Sequence, residues 1–317
     1  MNLHEDVETF SELVEASAAL IGLPQVYVEK DYWVTKALKH LCDSRHSGVA
    51  VFKGGTSLSK AYRLIDRFSE DIDLAVFGAG LSGNALKKLL KNVEGVAATG
   101  LKCLKDDSRQ SKGSMYRKTV YQYPRHIDGQ DFGQASPELL IEVNAFTYPE
   151  PFEKIELQSL IAETLTNIDK TDLIEQFGLE DFSINVLSVR RTLVEKLLAV
   201  IKDSYNDDPA ARLSVRIRHL YDICLIMRDS DIQNFLGADD FKVLCDRCIE
   251  DEKAGFFGYS DCLEKPLAEA PLFSDFGEWR SSLEVTYKGL FADLVYGELP
   301  SMDEVVAALM SLHERLK

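Results

Sequence analysis

No run in the 317-residue chain approaches the roughly 18 consecutive apolar residues of a membrane helix, and there is no internal repeat or compositionally biased tract. These absences exclude a helical membrane span, a solenoid and a low-complexity segment. Cysteine is sparse, six residues at irregular positions, so the thiols are expected to be free in a reducing cytoplasm rather than paired in a disulfide framework. The opening MNLHEDVETFSELVEASAAL has neither the basic start nor the small-residue cleavage site of a signal peptide. Positive charge is also short. There are 36 Lys and Arg against 52 Asp and Glu, a net −16, which argues against a nucleic-acid-binding surface spread over the whole protein.

What is present is an ordinary globular composition, 45% hydrophobic and 28% charged. The chain is longer than the roughly 250 to 300 residues that one core usually serves, so two domains are expected. Its basic residues are segregated: residues 51–126 carry +7 and 188–221 carry +3, while every other stretch is acidic. An acidic protein that keeps one basic trough for a polyanion has this pattern, and so do ordinary solvated helix faces.

Periodicity predicts helices over 5–21 and 25–41, a short strand at 48–52, and a helix capped by Thr56 or Ser57 that runs to about Asp66. Strands follow at 70–77, 115–123 and 138–146, with a helix at 84–97 and a further short strand at 184–187. Beyond Val189 only helices are expected, at 189–203, 211–228, 239–252, 278–296 and 301–316. The fold class is therefore α/β of the α+β type, a sheet with flanking helices over residues 1–187 followed by a helical domain over 188–317.

The most informative stretch is KGGTSLSKAYRLIDRFSEDIDLAV, Lys53 to Val76. Gly54 and Gly55 let backbone amides approach a phosphate, with Thr56 and Ser57 as further hydroxyl donors. Asp71 and Asp73 are alternate residues of one strand, so their carboxylates share a face about 6.5 to 7 Å apart along the chain and can converge on divalent cations, while Ile72 and Leu74 face the core. Glu142 in LLIEVNAF lies opposite Leu139, Ile141 and Val143, on the side of Leu140 and Asn144. It is either the third metal ligand or a strand acid paired with a Lys or Arg. Ser69 precedes the acids as a turn serine or a residue that tunes phosphate binding.

GGTSLSKAY with RFSEDIDLAV, preceded by VEKDYWVTKAL and followed by LVEKLLA and RHLYDI, resembles the AbiEii/AbiGii toxin-like branch of the DNA polymerase beta nucleotidyltransferase superfamily. The resemblance implies a nucleotidyltransferase-like mixed sheet and transfer of a nucleotide from an NTP to an RNA acceptor, with the transfer RNA 3′ end in view. The chain would then be the toxin of a toxin–antitoxin or phage-defence system under a cognate antitoxin. It also implies two Mg2+ ions, or Mn2+, on Asp71, Asp73 and Glu142, and nucleotide binding by Lys53, Gly54, Gly55, Thr56, Ser57, Ser69 and Lys196, with Asp222 beside that lysine. Other functions for such a scaffold are a catalytically inactive binding module, or transfer to a protein or small molecule.

Helical spacing agrees on Lys196: Val189, Leu193, Leu197 and Val200 form the stripe, which leaves Lys196 and Arg190 off its centre, either to meet phosphates or to snorkel at the surface. Lys196 is expected to meet the glycine turn in an interdomain cleft. Asp222, four residues after Arg218, otherwise reads as an ordinary helix ion pair. Cys245 and Cys248 form a lone CxxC and read as core, and His126 and His219 as structural. Lys102, Lys105, Arg109, Lys112, Arg117, Lys118 and Arg125, interleaved with Tyr116, Tyr121 and Tyr123, read either as a backbone-tracking surface with base-stacking rings or as a strand with core tyrosines.

Overall fold

In the computed structural model, which describes residues 1–127, 132–255 and 261–317, the N-terminal charges are structural. Helix α1 (Val7–Ile21) is capped by the Asp6 carboxylate, which accepts from the Thr9 N–H, and ends at Gly22 in the left-handed conformation. Helix α2 (Gln25–Cys42) carries Glu29, Lys30 and Asp31 in one turn, and each secures a distant segment. Glu29 accepts from the backbone N–H groups of His126 and Ile127. Lys30, fully buried, pairs with Glu70 at 2.9 Å and donates to the Ser136 carbonyl. Asp31 pairs with Lys60 and accepts from the Leu160 N–H. Glu29 and Lys30 can be buried, and Asp31 half-buried, because each has its partner.

Strand β1 (Ala50–Lys53), helix α3 (Gly54–Lys60), strand β2 (Ile72–Val76) and helix α4 (Gly83–Ala97) follow. After them come β3 (Lys102–Cys103), β4 (Ser111–Lys112), β5 (Tyr116–Gln122), β6 (Leu139–Asn144), β7 (Phe152–Leu157), α5 (Leu160–Asn167), α6 (Thr171–Phe177) and β8 (Phe182–Leu187). The eight strands form one mixed sheet ordered β3-β5-β6-β2-β1-β8-β7, with β4 also on β5. β2 runs parallel to β6 and antiparallel to β1, and β5 antiparallel to β6. Registers Ile72↔Ile141 and Leu74↔Val143 gather the aliphatic side chains on one face, as their alternation predicts. The other face takes Asp73 and Glu142, directly opposite each other.

These elements belong to the first of two compact units, Met1–Ala61, Phe68–Ala145 and Phe152–Val186. The second holds Tyr62–Arg67, Phe146–Pro151 and Leu187–Lys317, so two short segments far apart in the chain join the C-terminal helices. Its helices are α7 (Val189–Ser204), α8 (Pro209–Val215), α9 (Ile217–Ile226), α10 (Ser230–Leu236), α11 (Asp240–Gly255), α12 (Pro271–Ser274), α13 (Phe276–Lys288) and α14 (Met302–Leu316). α7 is enclosed on nearly every side. Arg191, with no exposed surface, bonds Glu195, the Glu150 carbonyl and Asp251, and so ties the Phe146–Pro151 segment to this helix. No helix among the described residues is long and apolar enough to cross a membrane.

Several expectations need correction. The helix at 211–228 is two helices broken at Arg216, and that at 278–296 stops at Lys288. β7, α5 and α6 occupy a stretch where no element was expected before residue 184. α3 starts at Gly54 and ends at Lys60, with Thr56 and Ser57 inside its first turn rather than at its cap. The reason is Gly54, whose φ of 83° turns the chain before any capping residue is reached.

Gly54 has a second constraint, because a Cβ added there would overlap the Asp73 carboxylate. Gly54→Ala should therefore lower stability by at least about 1 to 3 kcal/mol of backbone strain. Gly95→Ala, on the exposed side of α4 where an added Cβ meets nothing within 4 Å, should raise it by about 0.5 to 1 kcal/mol. Urea unfolding of both variants checks this, and a Gly54→Ala protein as stable as the parent would contradict the close approach.

Candidate active site

The register places four charged residues in one row across the sheet. Lys53 of β1 is opposite Asp73 of β2, Asp73 is opposite Glu142 of β6, and Glu142 is opposite Lys118 of β5. Neighbouring strands lie about 4.8 Å apart, so cation, acid, acid and cation alternate over a short span on one face. Asp71, two residues before Asp73, belongs to the same face. All three acids are half-buried, while the residues on either side of Asp73 and of Glu142 in their strands are buried.

This crowding has an electrostatic signature. Burial, then the nearby Glu70 carboxylate, pushes the Asp71 carboxyl above its ordinary value, with Glu142 adding to the effect and Lys30 opposing it. Glu142 has two partners. Its Oε2 accepts from the Tyr116 hydroxyl at 2.9 Å and its Oε1 pairs with Lys118. Burial alone would lower the Lys118 ammonium, but Glu142 carries it above its usual value, and burial together with Glu142 holds the Tyr116 phenol well above its own. Of the two readings of Glu142, the paired strand acid is the arrangement present.

Hard carboxylate oxygens sharing a face suit a divalent cation of the Mg2+ or Mn2+ type, and a cation would offset the burial and the neighbouring carboxylates that raise Asp71. Asp71 and Asp73 fit such an ion. Among the described residues no three His, Cys, Asp or Glu side chains are gathered around one metal position, and Glu142 would have to release Lys118 to become the third ligand.

The hydroxyls near the turn are committed internally. Ser57, fully buried, donates to the Gly54 carbonyl at 2.9 Å, and Thr56 Oγ1 lies 3.0 Å from Ser69 Oγ. They brace the turn, while whichever of Thr56 and Ser69 accepts in their contact keeps its own O–H as a donor. The Thr56–Ser69 contact joins the glycine turn to the residues that lead into Asp71.

In the second unit Lys196 does not snorkel. It is 7% exposed, and its ammonium lies 2.8 Å from Asp222 Oδ2. Asp222 is also gripped by Arg67, whose Nε reaches Oδ1 at 2.7 Å and Nη2 reaches Oδ2 at 2.8 Å. Asp222 thus stands beside Lys196, with Arg67 from a further segment as its second partner. Burial would raise the Asp222 carboxyl, but Arg67 and Lys196 hold it well below the usual carboxylate range. His219, beside them, is pushed well below its ordinary value by burial and by Lys196.

The basic island divides. Arg109 is held by Asp107 and Glu138, Arg117 by Glu94, and Lys118 by Glu142, on the opposite face of β5 from Arg117. Tyr121 and Tyr123 are buried, so the base-stacking expectation fails for them, and Tyr116 is bonded to Glu142. Cys245 and Cys248 are core residues, their thiols pushed up to about 12 by burial.

Two predictions follow from these charges. A folded-state pKa above the unfolded value means that Asp71 supports folding only while protonated, below about pH 4, and that this support is lost as pH rises through the folded value. Asp71→Asn should therefore melt above the parent at neutral pH, with the gap closing towards pH 4, and Mg2+ should narrow the gap at neutral pH only. Equal melting temperatures at pH 7 would remove the crowding argument. Asp222→Asn leaves two buried cations without their carboxylate and should cost about 3 to 5 kcal/mol. Lys196→Met, which keeps the Arg67 pairing, should cost clearly less in the same urea titration, and the reverse order would contradict the cluster.

A search of the solved structures returns seven similar chains. Among them is MenT4, the nucleotidyltransferase toxin Rv2826c from Mycobacterium tuberculosis H37Rv, at 15% identity and a TM-score of 0.43 over 95% of this chain and 92% of that one. No curated protein matches significantly. The family model of the nucleotidyl transferase AbiEii toxin, type IV toxin–antitoxin system, matches residues 36–308, which include the glycine turn, the acid strand, Glu142, Lys196 and Asp222. Over that span the chain belongs to the AbiEii family of nucleotidyltransferase toxins.

Proposed function

We propose that Asp71 and Asp73 are the cation-holding catalytic acids of this nucleotidyltransferase, and that it transfers a nucleotide from an NTP to RNA, the transfer RNA 3′ end being the acceptor implied by the family resemblance. Nucleotidyltransferases of this family generally use divalent metals, and the type IV assignment implies a cognate antitoxin. The observation that carries the reading is the contact between the glycine turn and Asp73, two residues after Asp71. Gly54 is packed so closely on the Asp73 carboxylate that no side chain fits between them. A phosphate approaching the backbone at Gly54 and Gly55 is thereby brought to the carboxylates.

Asp71 and Asp73, with Glu142 once released by Lys118, would hold Mg2+ or Mn2+, which would supply Lewis-acid stabilisation of charge on the transferring phosphate and activation of the attacking hydroxyl. The chain's own residues position the reactants. Lys53 stands in register with Asp73 at the start of the turn, where a cation favours the triphosphate. Lys118 balances Glu142 until a cation is held, and once released it is a further cation on the acid face for an anionic substrate. Thr56 and Ser69 fix the turn against the acid strand. Lys196, oriented by Asp222, is the cation that the family resemblance assigns to the outer phosphates. The toxin would act in the cytoplasm, in a system that includes phage defence among its uses.

Incubation of the purified chain with each α-labelled NTP, total RNA and Mg2+ should place label on RNA. Asp71→Asn and Asp73→Asn should abolish transfer. Lys196→Met should lower triphosphate use by roughly one to two orders of magnitude, the loss of one charge-assisted phosphate contact. Full activity in either Asp variant removes these acids from catalysis, and label on protein or a small molecule instead of RNA contradicts the acceptor.

A further inference from the structure

Outside the carboxylate row, the first unit has an open trough of about 450 Å³ lined by Lys87, Lys88 and Lys91 of α4 and by Lys112, Gly113, Ser114 and Arg117 of the β4–β5 hairpin. We infer that this trough is a second anion site, which grips the phosphate backbone of an RNA on the face of the sheet opposite the catalytic acids. The ligand's identity rests on the RNA-acceptor reading, whereas the location of the site does not.

Both elements carry charge that the fold alone would disfavour. Lys87 and Lys91 are four residues apart on α4, and Lys88 and Lys91 three, spacings at which like charges on a helix repel. Lys112 is directly opposite Arg117 across the β4–β5 pair, where like charges are also destabilising. Glu94, the carboxylate that holds Arg117, is buried and also bonded to the Tyr121 hydroxyl. No carboxylate lines the trough, and among the described residues none of the four lysines forms an ion pair. In a chain of net charge −16, five cations with one spent acid make a local basic surface that an external anion would complete.

Two features favour a chain of phosphates over a single small anion. The lysines are exposed and spread along a helix turn and a hairpin rather than converging on one point. Strand parity also separates the trough from the acids, because Arg117 and Lys112 share one face while Lys118, Glu142 and Asp73 share the other. A ligand held in the trough therefore leaves the triphosphate position free, as an acceptor strand must.

The test is fluorescence anisotropy of a labelled single-stranded RNA oligonucleotide titrated with the full chain across a salt series, for the parent and for the triple variant Lys88→Gln, Lys91→Gln, Lys112→Gln. The variant should bind roughly ten- to a hundred-fold more weakly, and its slope of log affinity on log salt should be smaller by about 2, near 0.7 for each lost contact. Its melting temperature should equal or exceed the parent's, since only repelling surface charge has been removed. Excess ATP should leave the parent's RNA bound. A parent that binds no RNA, a variant with unchanged affinity and slope, displacement of the RNA by ATP, or tighter binding of polyglutamate than of RNA of equal charge would each overturn the assignment, the last in favour of an acidic protein partner. Because binding is read without catalysis, the triple variant can lose RNA while the transfer assay labels no RNA. That combination would sink the acceptor proposal and leave the trough standing.

Discussion

Two carboxylates opposite each other on adjacent strands, with a third two residues away, are an arrangement that a half-buried sheet face tolerates only if their charge is balanced. The surroundings of Asp71, Asp73 and Glu142 can be understood as that balance. Lys118 and Tyr116 neutralise and hydrogen-bond Glu142, and Lys30 draws the neighbouring Glu70 towards α2 and away from the acid face. Burial and Glu70 nevertheless leave the Asp71 carboxyl raised. Incomplete compensation of this kind is costly in a structural role and useful where a cation is to be held.

The string Arg67 to Asp73 concentrates the structural demands on the chain. Arg67 grips Asp222, Ser69 meets Thr56, Glu70 pairs with buried Lys30, and Asp71 and Asp73 present their carboxylates. Arg67, Ser69 and Glu70 each have a structural partner, which helps the stretch to tolerate so much charge beside the apolar Ile72 and Leu74. The pairing of Arg67 with Asp222 spans 155 residues, so the fold of the second unit depends on a residue that lies only four positions before Asp71.

Alternation is a backbone property, so the faces of β2 and β6 were legible: Ile72, Leu74, Ile141 and Val143 inward, Asp73 and Glu142 outward. That Asp73 and Glu142 stand directly opposite was not, because parallel pairing and its register depend on the whole sheet. The charged run Glu29, Lys30, Asp31 carries no local sign that all three residues reach distant partners. Lys196 was left between two readings, a phosphate-facing cation and a surface lysine, for a related reason. A helical stripe predicts one buried face, whereas α7 is enclosed by other helices and its lysine is kept inside by Asp222. Thr56 and Ser57 have the composition of a helix cap, yet Gly54 reverses the chain first. The signal that identifies Gly54 is its contact with Asp73, which exists only in three dimensions.

The central claim is that Asp71 and Asp73 together hold a divalent cation. Mn2+ binding followed by electron paramagnetic resonance tests it without any acceptor, nucleotide or antitoxin. The account predicts a bound-Mn2+ signal in the parent that Mg2+ competes away and that Asp73→Asn abolishes while the protein stays folded. Mn2+ bound equally by the parent and by an Asp71→Asn, Asp73→Asn double variant would contradict it.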